Sequence, residues 1–287
     1  MQIVTDAGCD ISAQQLSGGV IHTVPLMINL AGKTYRSGVD ITYKEFYTIL
    51  EETGQLPTTS LPSPGEFAEL YRQLAEKDPE ILSVHISSGL SGTSNSARDG
   101  AAQAPQANVT IHDTMTLSIG EGWQVEAAVR AAQAGWNAAQ TVPVLERVRE
   151  ITETVFTLPE LKYLIHGGRI SHIKGLLAQI LNIKPIIGVG KADGKYFQRD
   201  QQRTFNKAMA GIVNLIAKDV PRGAPLRIQV AHANYPEGAD TLQEMIEKVF
   251  PCEKLPISDI APVLGAHTGP GLVGLAYAPL DKFPTIA

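Results

Sequence analysis

The sequence predicts an α/β protein built of two different domains, and three observations carry that expectation. Short apolar runs alternate almost throughout with amphipathic segments of helical period, the pattern of strands covered by helices. The first half repeats strand-then-helix units, whereas the second half holds a strand, an Asp-Gly turn and a strand, which reads as an antiparallel hairpin. A chain of 287 residues is long for one hydrophobic core and comfortable for two. The pattern changes near residue 153, which sets the expected domains at 1–153 and 154–287.

In order along the chain, residues 2–5 read as a first strand ending at Asp6, and residues 23–30 as a second apolar run. "NLAGKTYRSG" follows as a hairpin excursion with Gly32 at its tip. Residues 42–52 have helical period. "LPTTSLPSPGEF" is a loop rich in proline and hydroxyls, closing on a helix start: Ser63 as N-cap, Pro64 in the first helical position and Glu66 three residues after the serine. That helix runs to about residue 77, with Phe67, Leu70, Tyr71 and Leu74 on one face. Residues 81–86 form a strand that turns through "SSGLSGTS" into a helix ending near residue 104. A strand at 108–113 and two alanine-rich helices, near 117–134 and 142–153, complete the first half.

The second half begins with the short strand "TVFTL", a helix over 159–166, the turn "GGRISHIKG" and an apolar helix over 176–181. "KPIIGVGKADGKYFQRDQQRT" is the hairpin. Helices over about 205–218 and 237–249 flank a strand at 226–231. The tail "SDIAPVLGAHTGPGLVGLAYAP" reads as a short capped helix, a glycine turn and a final strand. No repeat or low-complexity linker separates the halves, so the natural ligand site is a cleft between packed domains.

Bulk properties exclude several function classes. Twenty-four Lys+Arg against 29 Asp+Glu give a net charge of −5 with no long run of one sign, so no nucleic-acid surface is expected. Cys9 and Cys252 lie far apart and form no CxxC pair, which argues against a disulfide framework or zinc site and for a reducing cytoplasm. "MQIVTDAGCDIS" lacks the basic-then-apolar pattern of a signal peptide. No window approaches the about 18 apolar residues of a membrane span, so no stable membrane insertion is expected. There is no HExxH, HxH or carboxylate cluster, and neither metal nor cofactor is expected.

The chemistry concentrates in "SVHISSGLSGTSNSA", residues 83–97. As a nucleophile elbow it is broken, because Gly89-Leu90-Ser91-Gly92 is followed by Thr93 rather than a second glycine, and no acid is tied to His267. As a phosphate loop it lacks G-x-x-x-x-G-K-[ST], and the glycine-rich "GVGKADGK" reads as part of the hairpin. As a seat for a small anion it offers what it has: Ser91, Gly92 and Thr93 opening a helix, where free N–H groups, the positive helix end and hydroxyls converge. Plain helix capping by Ser91 and Thr93 explains the stretch equally well. "TTSLPS", with Thr58, Thr59 and Ser60, and "GAHTGPG", with His267 and Thr268 in a glycine–proline turn, tilt the balance towards a seat. Arg169 in "HGGRIS" adds a partner for carboxylate or phosphate. His85 and His112 lie in apolar strands and read as satisfied core residues.

Taken in order, "IVTDAGCDIS", "TTSLPSPGEF", "HISSGLSGTSNSA", "LKYLIHGGRISHIKG", "IKPII" and "GAHTGPGLVGLAY" resemble the DegV family of bacterial fatty-acid-binding proteins over nearly the whole chain. The resemblance implies a three-layer α/β/α domain with a parallel sheet, followed by a two-layer α/β domain with a mixed sheet. It implies a cytoplasmic carrier, without catalysis of its own, that buries one long-chain fatty acid such as palmitate or oleate. The carrier would present the carboxylate to a separate fatty acid kinase, which forms acyl phosphate for phospholipid synthesis. The seat maps onto Thr59, Ser91 and His267, with Ser60, Gly92 and Thr268 beside them. Arg169 and Arg203 match basic positions near the ligand mouth or the kinase-docking face. The chain departs from the family pattern at Ala7-Gly8-Cys9, where serine or threonine usually follows "TD", and at Leu61, where glutamine is frequent. The tail tunnel is sought among Ile170, Ile173, Leu176, Leu177 and Ile180, which serve equally as plain helix core. The competing reading is a serine-dependent acyl hydrolase using Ser91 and His267.

Overall fold

A computed structural model describes residues 1–172 and 183–286. The first half contains β1 (Gln2–Asp6), α1 (Ala13–Leu16), β2 (Ile21–Val24), β3 (Met27–Leu30), β4 (Lys33–Arg36), α2 (Tyr43–Thr53), β5 (Thr58–Ser60) and α3 (Pro64–Ala75). It continues through β6 (Glu80–His85), α4 (Thr93–Ala102), β7 (Asn108–Asp113), α5 (Ser118–Gln133) and α6 (Ala138–Ile151). The second half contains β8 (Glu153–Thr157), α7 (Lys162–His166), β9 (Lys184–Val189), β10 (Tyr196–Gln202), α8 (Phe205–Asp219) and β11 (Leu226–His232). It ends with α9 (Pro236–Glu247), β12 (Cys252–Lys254), β13 (Ser258–Asp259), α10 (Pro262–Thr268) and β14 (Val273–Pro279).

Strands β2-β1-β6-β7 make a parallel sheet in that order. Side chains alternate across it: Val4 and Ile81 join Phe67, Tyr71 and Ala97 of α3 and α4, while Ile3 and Leu82 pack with Trp123 of α5 and Leu145 of α6. The second sheet runs β10-β9-β8-β14-β11-β12, with β13 also on β11, and mixes antiparallel with parallel pairs. Val155, Ile228 and Leu275 face α8 and α9, whereas Phe156, Ile187, Ala231 and Ala276 join the core that holds Trp123. Helix α5 therefore lies between both sheets. It is buried on every side except at Arg130, Ala132 and Gln133, and among the polar residues inside it Gln124 is bonded to His112 and Glu126 to Arg227.

The helix starts follow from capping chemistry. Ser63 with Glu66, Thr42 with Glu45 and Asn137 with Gln140 each close a reciprocal capping box. The Asn137 box starts α6 at Ala138, earlier than the expected start near 142, and Pro143 sits inside the helix. The hairpin forms as its turn predicts, with Gly194 at φ +63.

Two expectations change. The apolar run 23–30 is not one strand: Pro25 breaks it, leaving β2 in the parallel sheet and β3 in a separate β4-β3-β5 sheet. The "TTS" loop is itself strand β5, pairing Thr59 with Ile28. A three-residue strand between prolines has no period to betray it. The expected helix at 176–181 lies outside the described residues.

Candidate functional site

Four of the predicted residues line one cleft between the halves. Thr59 arrives on β5, Ser91 on the turn before α4, Arg169 on the turn after α7 and His267 on α10, around one pocket. Ile86, Leu90 and Val263 supply apolar wall beside them. All four polar residues are half-buried.

Each is held in a specific pose. His267 Nε2 lies 2.8 Å from Thr59 Oγ1, joining residues 208 apart in sequence. Among the described residues its Nδ1 is buried without a partner, and Gly167 packs against that edge so closely that a Cβ there would collide with it. The first glycine of "HGGRIS" thereby makes room for the imidazole. Burial, with the positive charges of Arg169 and His166 nearby, pushes the His267 pKa down to about 4, so the ring is neutral at neutral pH. Arg169 Nη1 donates to Gly167 O at 2.6 Å and its Nε donates to Leu90 O at 3.3 Å. The guanidinium thus ties α7's end to the turn that carries Ser91. Ser91 Oγ and Thr93 Oγ1 are 2.8 Å apart, and the Thr93 N–H donates to Ser91 Oγ at 3.4 Å. The N-cap position of α4 is Gly92, which supplies no side-chain cap, so among side chains Ser91 is the one that meets the first N–H of the helix.

The other predicted residues are placed differently. Ser60 is exposed, because alternation along β5 turns it away from the face that Thr59 presents. Gly92 is beside Leu61, which is 43% exposed. Thr268 lines the neighbouring chamber, and its hydroxyl donates to Leu264 O at 3.2 Å. Arg203 is exposed between β10 and α8 and, among the described residues, has no ion pair. Residues 7–9 line neither volume.

That neighbouring chamber adjoins the cleft through shared walls. Ile119, Phe156, Ile260 and Leu272 make its walls apolar. Its hydroxyls are turned to protein partners: Ser118 donates to Asp10 at 2.5 Å, and Thr154 bonds Thr116 at 3.1 Å. Leu117, Tyr196 and Leu264 line both the chamber and the polar cleft. Sequence reading missed these walls. Of the residues suggested for the tail tunnel, Ile170 is buried but lines neither volume, and Ile173, Leu176, Leu177 and Ile180 lie outside the described residues. No local signal marks a chamber wall, since its members come from separate elements and each reads as ordinary core.

The hydrolase geometry is not assembled at Ser91, whose hydroxyl meets Thr93 while His267 meets Thr59 and no carboxylate meets His267 Nδ1. A serine–histidine–aspartate chain does exist elsewhere: Ser83 Oγ lies 2.7 Å from His85 Nε2, and His85 Nδ1 lies 3.0 Å from Asp6 Oδ2. All three are fully buried, with Tyr71 closing on Ser83 at 2.8 Å, so this chain is a structural network, as expected for His85. His112 is likewise satisfied, by Gln124 at 2.8 Å. Among the described residues no helix is long and apolar enough to cross a membrane, and no cluster of three or more His, Cys, Asp or Glu side chains could hold a metal ion.

Comparison with known proteins places this arrangement in a wider set. The DegV profile, described as "Uncharacterised protein, DegV family", matches residues 1–280. A DegV domain-containing protein of Staphylococcus aureus strain MRSA252 is 36% identical over 273 residues, spanning 95% of this chain and 96% of the relative. Protein DegV of Bacillus subtilis is 29% identical over 279 residues, spanning 96% and 98%. A fatty-acid-binding DegV family protein from Thermus thermophilus superposes with a TM-score of 0.88 at 31% identity, covering 97% of this chain and 99% of that one. Bacillus subtilis DegV, described as a fatty acid binding protein, superposes with a TM-score of 0.85 at 27% identity, covering 96% and 98%.

Proposed function

The chain belongs to the DegV family, and we propose that it is a carrier that holds one long-chain fatty acid, such as palmitate or oleate. The observation that carries this reading is the pairing of volumes: a cleft with Thr59, Ser91, Arg169 and His267, adjoining an apolar chamber. That pairing suits an amphipathic ligand with one anionic end.

In this reading His267 carries its proton on Nε2 and donates it to Thr59 Oγ1, consistent with the unpartnered Nδ1. Thr59 then keeps its own proton to donate to the carboxylate. Ser91 donates a second hydrogen bond, and Arg169 supplies the positive charge that neutral His267 lacks. Burial of about fifteen methylenes stabilises the complex by at most about 12 kcal/mol, at roughly 0.8 per methylene. Association losses reduce that figure, and each charge-assisted bond at the head adds about 1.5–3 kcal/mol. The tail supplies affinity and the head group fixes orientation.

The half-buried cleft leaves the carboxylate within reach of a second protein. We extend the reading to cytoplasmic presentation to a fatty acid kinase, which the family resemblance implies, with no chemistry done by the carrier itself. Arg203 remains our candidate for the docking face. Mass spectrometry of an organic extract from freshly purified protein tests the ligand class, and a stoichiometric fatty acid is expected. Its absence, together with no binding of added oleate or palmitate, overturns the carrier. Labelling of Ser91 by a fluorophosphonate probe would favour the hydrolase instead.

A further inference from the structure

We propose that Leu117, Tyr196 and Leu264 form a rigid neck that selects acyl chains by cross-section, admitting an unbranched chain and rejecting one branched next to its carboxyl end. This rests on the carrier reading and deepens it. Among the described residues these three side chains are the ones common to the polar cleft and the apolar chamber, so a chain whose carboxylate lies in the cleft threads its first carbons between them.

The neck is clamped from several directions. Leu117 sits between two residues in the left-handed region, Met115 at φ 54 and Ser118 at φ 55, neither of them glycine. Such backbone persists only where its surroundings over-determine it. Here they do: Met115 N donates to Asp113 Oδ1 at 3.0 Å, Ser118 N to Gly8 O at 2.9 Å and Ser118 Oγ to Asp10 Oδ2 at 2.5 Å. The other oxygen of Asp10 accepts the N–H of Ala261 at 2.9 Å, at the start of the helix that carries Leu264. One carboxylate therefore ties two walls of the neck together. Tyr196 opens β10, its ring edge-on to Phe156 with centroids 5.3 Å apart. The turn just before it is pinned to the first half by Ser87 Oγ, which donates to Gly194 O at 2.8 Å. Close-packed walls held by such bonds do not yield to an added methyl without repacking.

The test compares hexadecanoate, 3-methylhexadecanoate and 15-methylhexadecanoate binding to the delipidated full chain. Wild type is expected to bind hexadecanoate at least about tenfold tighter than the 3-methyl acid, the scale on which a pocket discriminates one methylene. Leu117→Ala should shrink that ratio several-fold, with the milder Leu117→Val moving it in the same direction if the alanine variant folds poorly. Branching at the far end, in 15-methylhexadecanoate, should show no such dependence on residue 117. An unchanged 3-methyl ratio in the folded variants, or an equal effect on both branched acids, overturns the neck. Failure of wild type to bind hexadecanoate at all overturns the carrier reading instead, so the two failures are distinguishable.

Discussion

His267 lines the cleft and Asp10 holds the Ser118 and Ala261 segments beside it, and the two respond to pH in opposite senses. Burial, then Arg169 and His166, hold His267 near a pKa of about 4, below its ordinary 6.5. The unfolded chain takes up a proton between those values that the folded one refuses, so this residue costs stability as pH falls from about 6.5 to 4. Burial raises Asp10 from 3.8 to about 7, outweighing the hydrogen bonds from Ser118 and Ala261. The folded chain then keeps a proton that the unfolded chain has released, so the contribution of Asp10 is lost as pH rises from about 4 to 7. Melting temperatures across pH should separate the two. The advantage of wild type over Asp10→Asn is expected to shrink from pH 4 to pH 7, while its advantage over His267→Asn grows from pH 4 to 6.5. Parallel curves for all three proteins would contradict both assignments. The chemical types of the cleft were legible in the sequence, as hydroxyls, histidine and arginine set among glycines. The bond from Thr59 to His267 was not, because it spans 208 residues and exists only once β5 and α10 meet.

At the scale of elements, the β9–β10 hairpin shows how a turn can serve both local and distant structure. Gly194 has φ +63, and a Cβ there would run into Ser87 Oγ. Gly223 has φ +82 with nothing within 4 Å of the same position. Gly194→Ala should therefore destabilise by both backbone strain and a broken dock, and Gly223→Ala by strain alone, about 1–2 kcal/mol for a left-handed residue. Urea midpoints of the two variants provide the comparison, and equal losses would mean that the hairpin turn is not docked on Ser87. The turn was legible from Asp-Gly; its dock was not, since nothing near residue 87 points to residue 194. The run 23–30 is the converse case. Its apolarity was plain, yet Pro25 and the demands of two sheets divided it, so hydrophobic content alone misassigned one strand as continuous.

Over the whole molecule, α5 and the core around it make the halves interdependent. Residues from Ile3 to Ala278 belong to one apolar cluster. The buried Arg227 on β11 pairs with Glu126 on α5 at 2.7 Å, its guanidinium 4.1 Å from the Phe283 ring centroid. Cutting α5 from either sheet would expose that cluster and strand a buried charge. Unfolding of the chain is therefore expected as a single transition, coincident by tryptophan fluorescence and far-ultraviolet circular dichroism. A bound fatty acid should raise its midpoint, by about 2.7 kcal/mol of stability at a free concentration one hundred times Kd. Two separated transitions would show that each half folds on its own core.

What the sequence determined by itself was what acts over a few residues. Capping boxes, turn glycines and apolar period set the α/β class and most elements; residue chemistry marked the "TTS", "SGT" and "AHT" stretches and Arg169, and the family resemblance picked Thr59, Ser91 and His267 out of them. Tertiary structure alone decided that these four converge, that Ser60 turns away, and that the apolar chamber is walled by Leu117, Phe156, Tyr196 and Leu264. The physical reason is one of range. Caps and turns are satisfied by neighbours in the chain, whereas a cavity is the space left where distant elements pack, and its walls are indistinguishable in sequence from ordinary core.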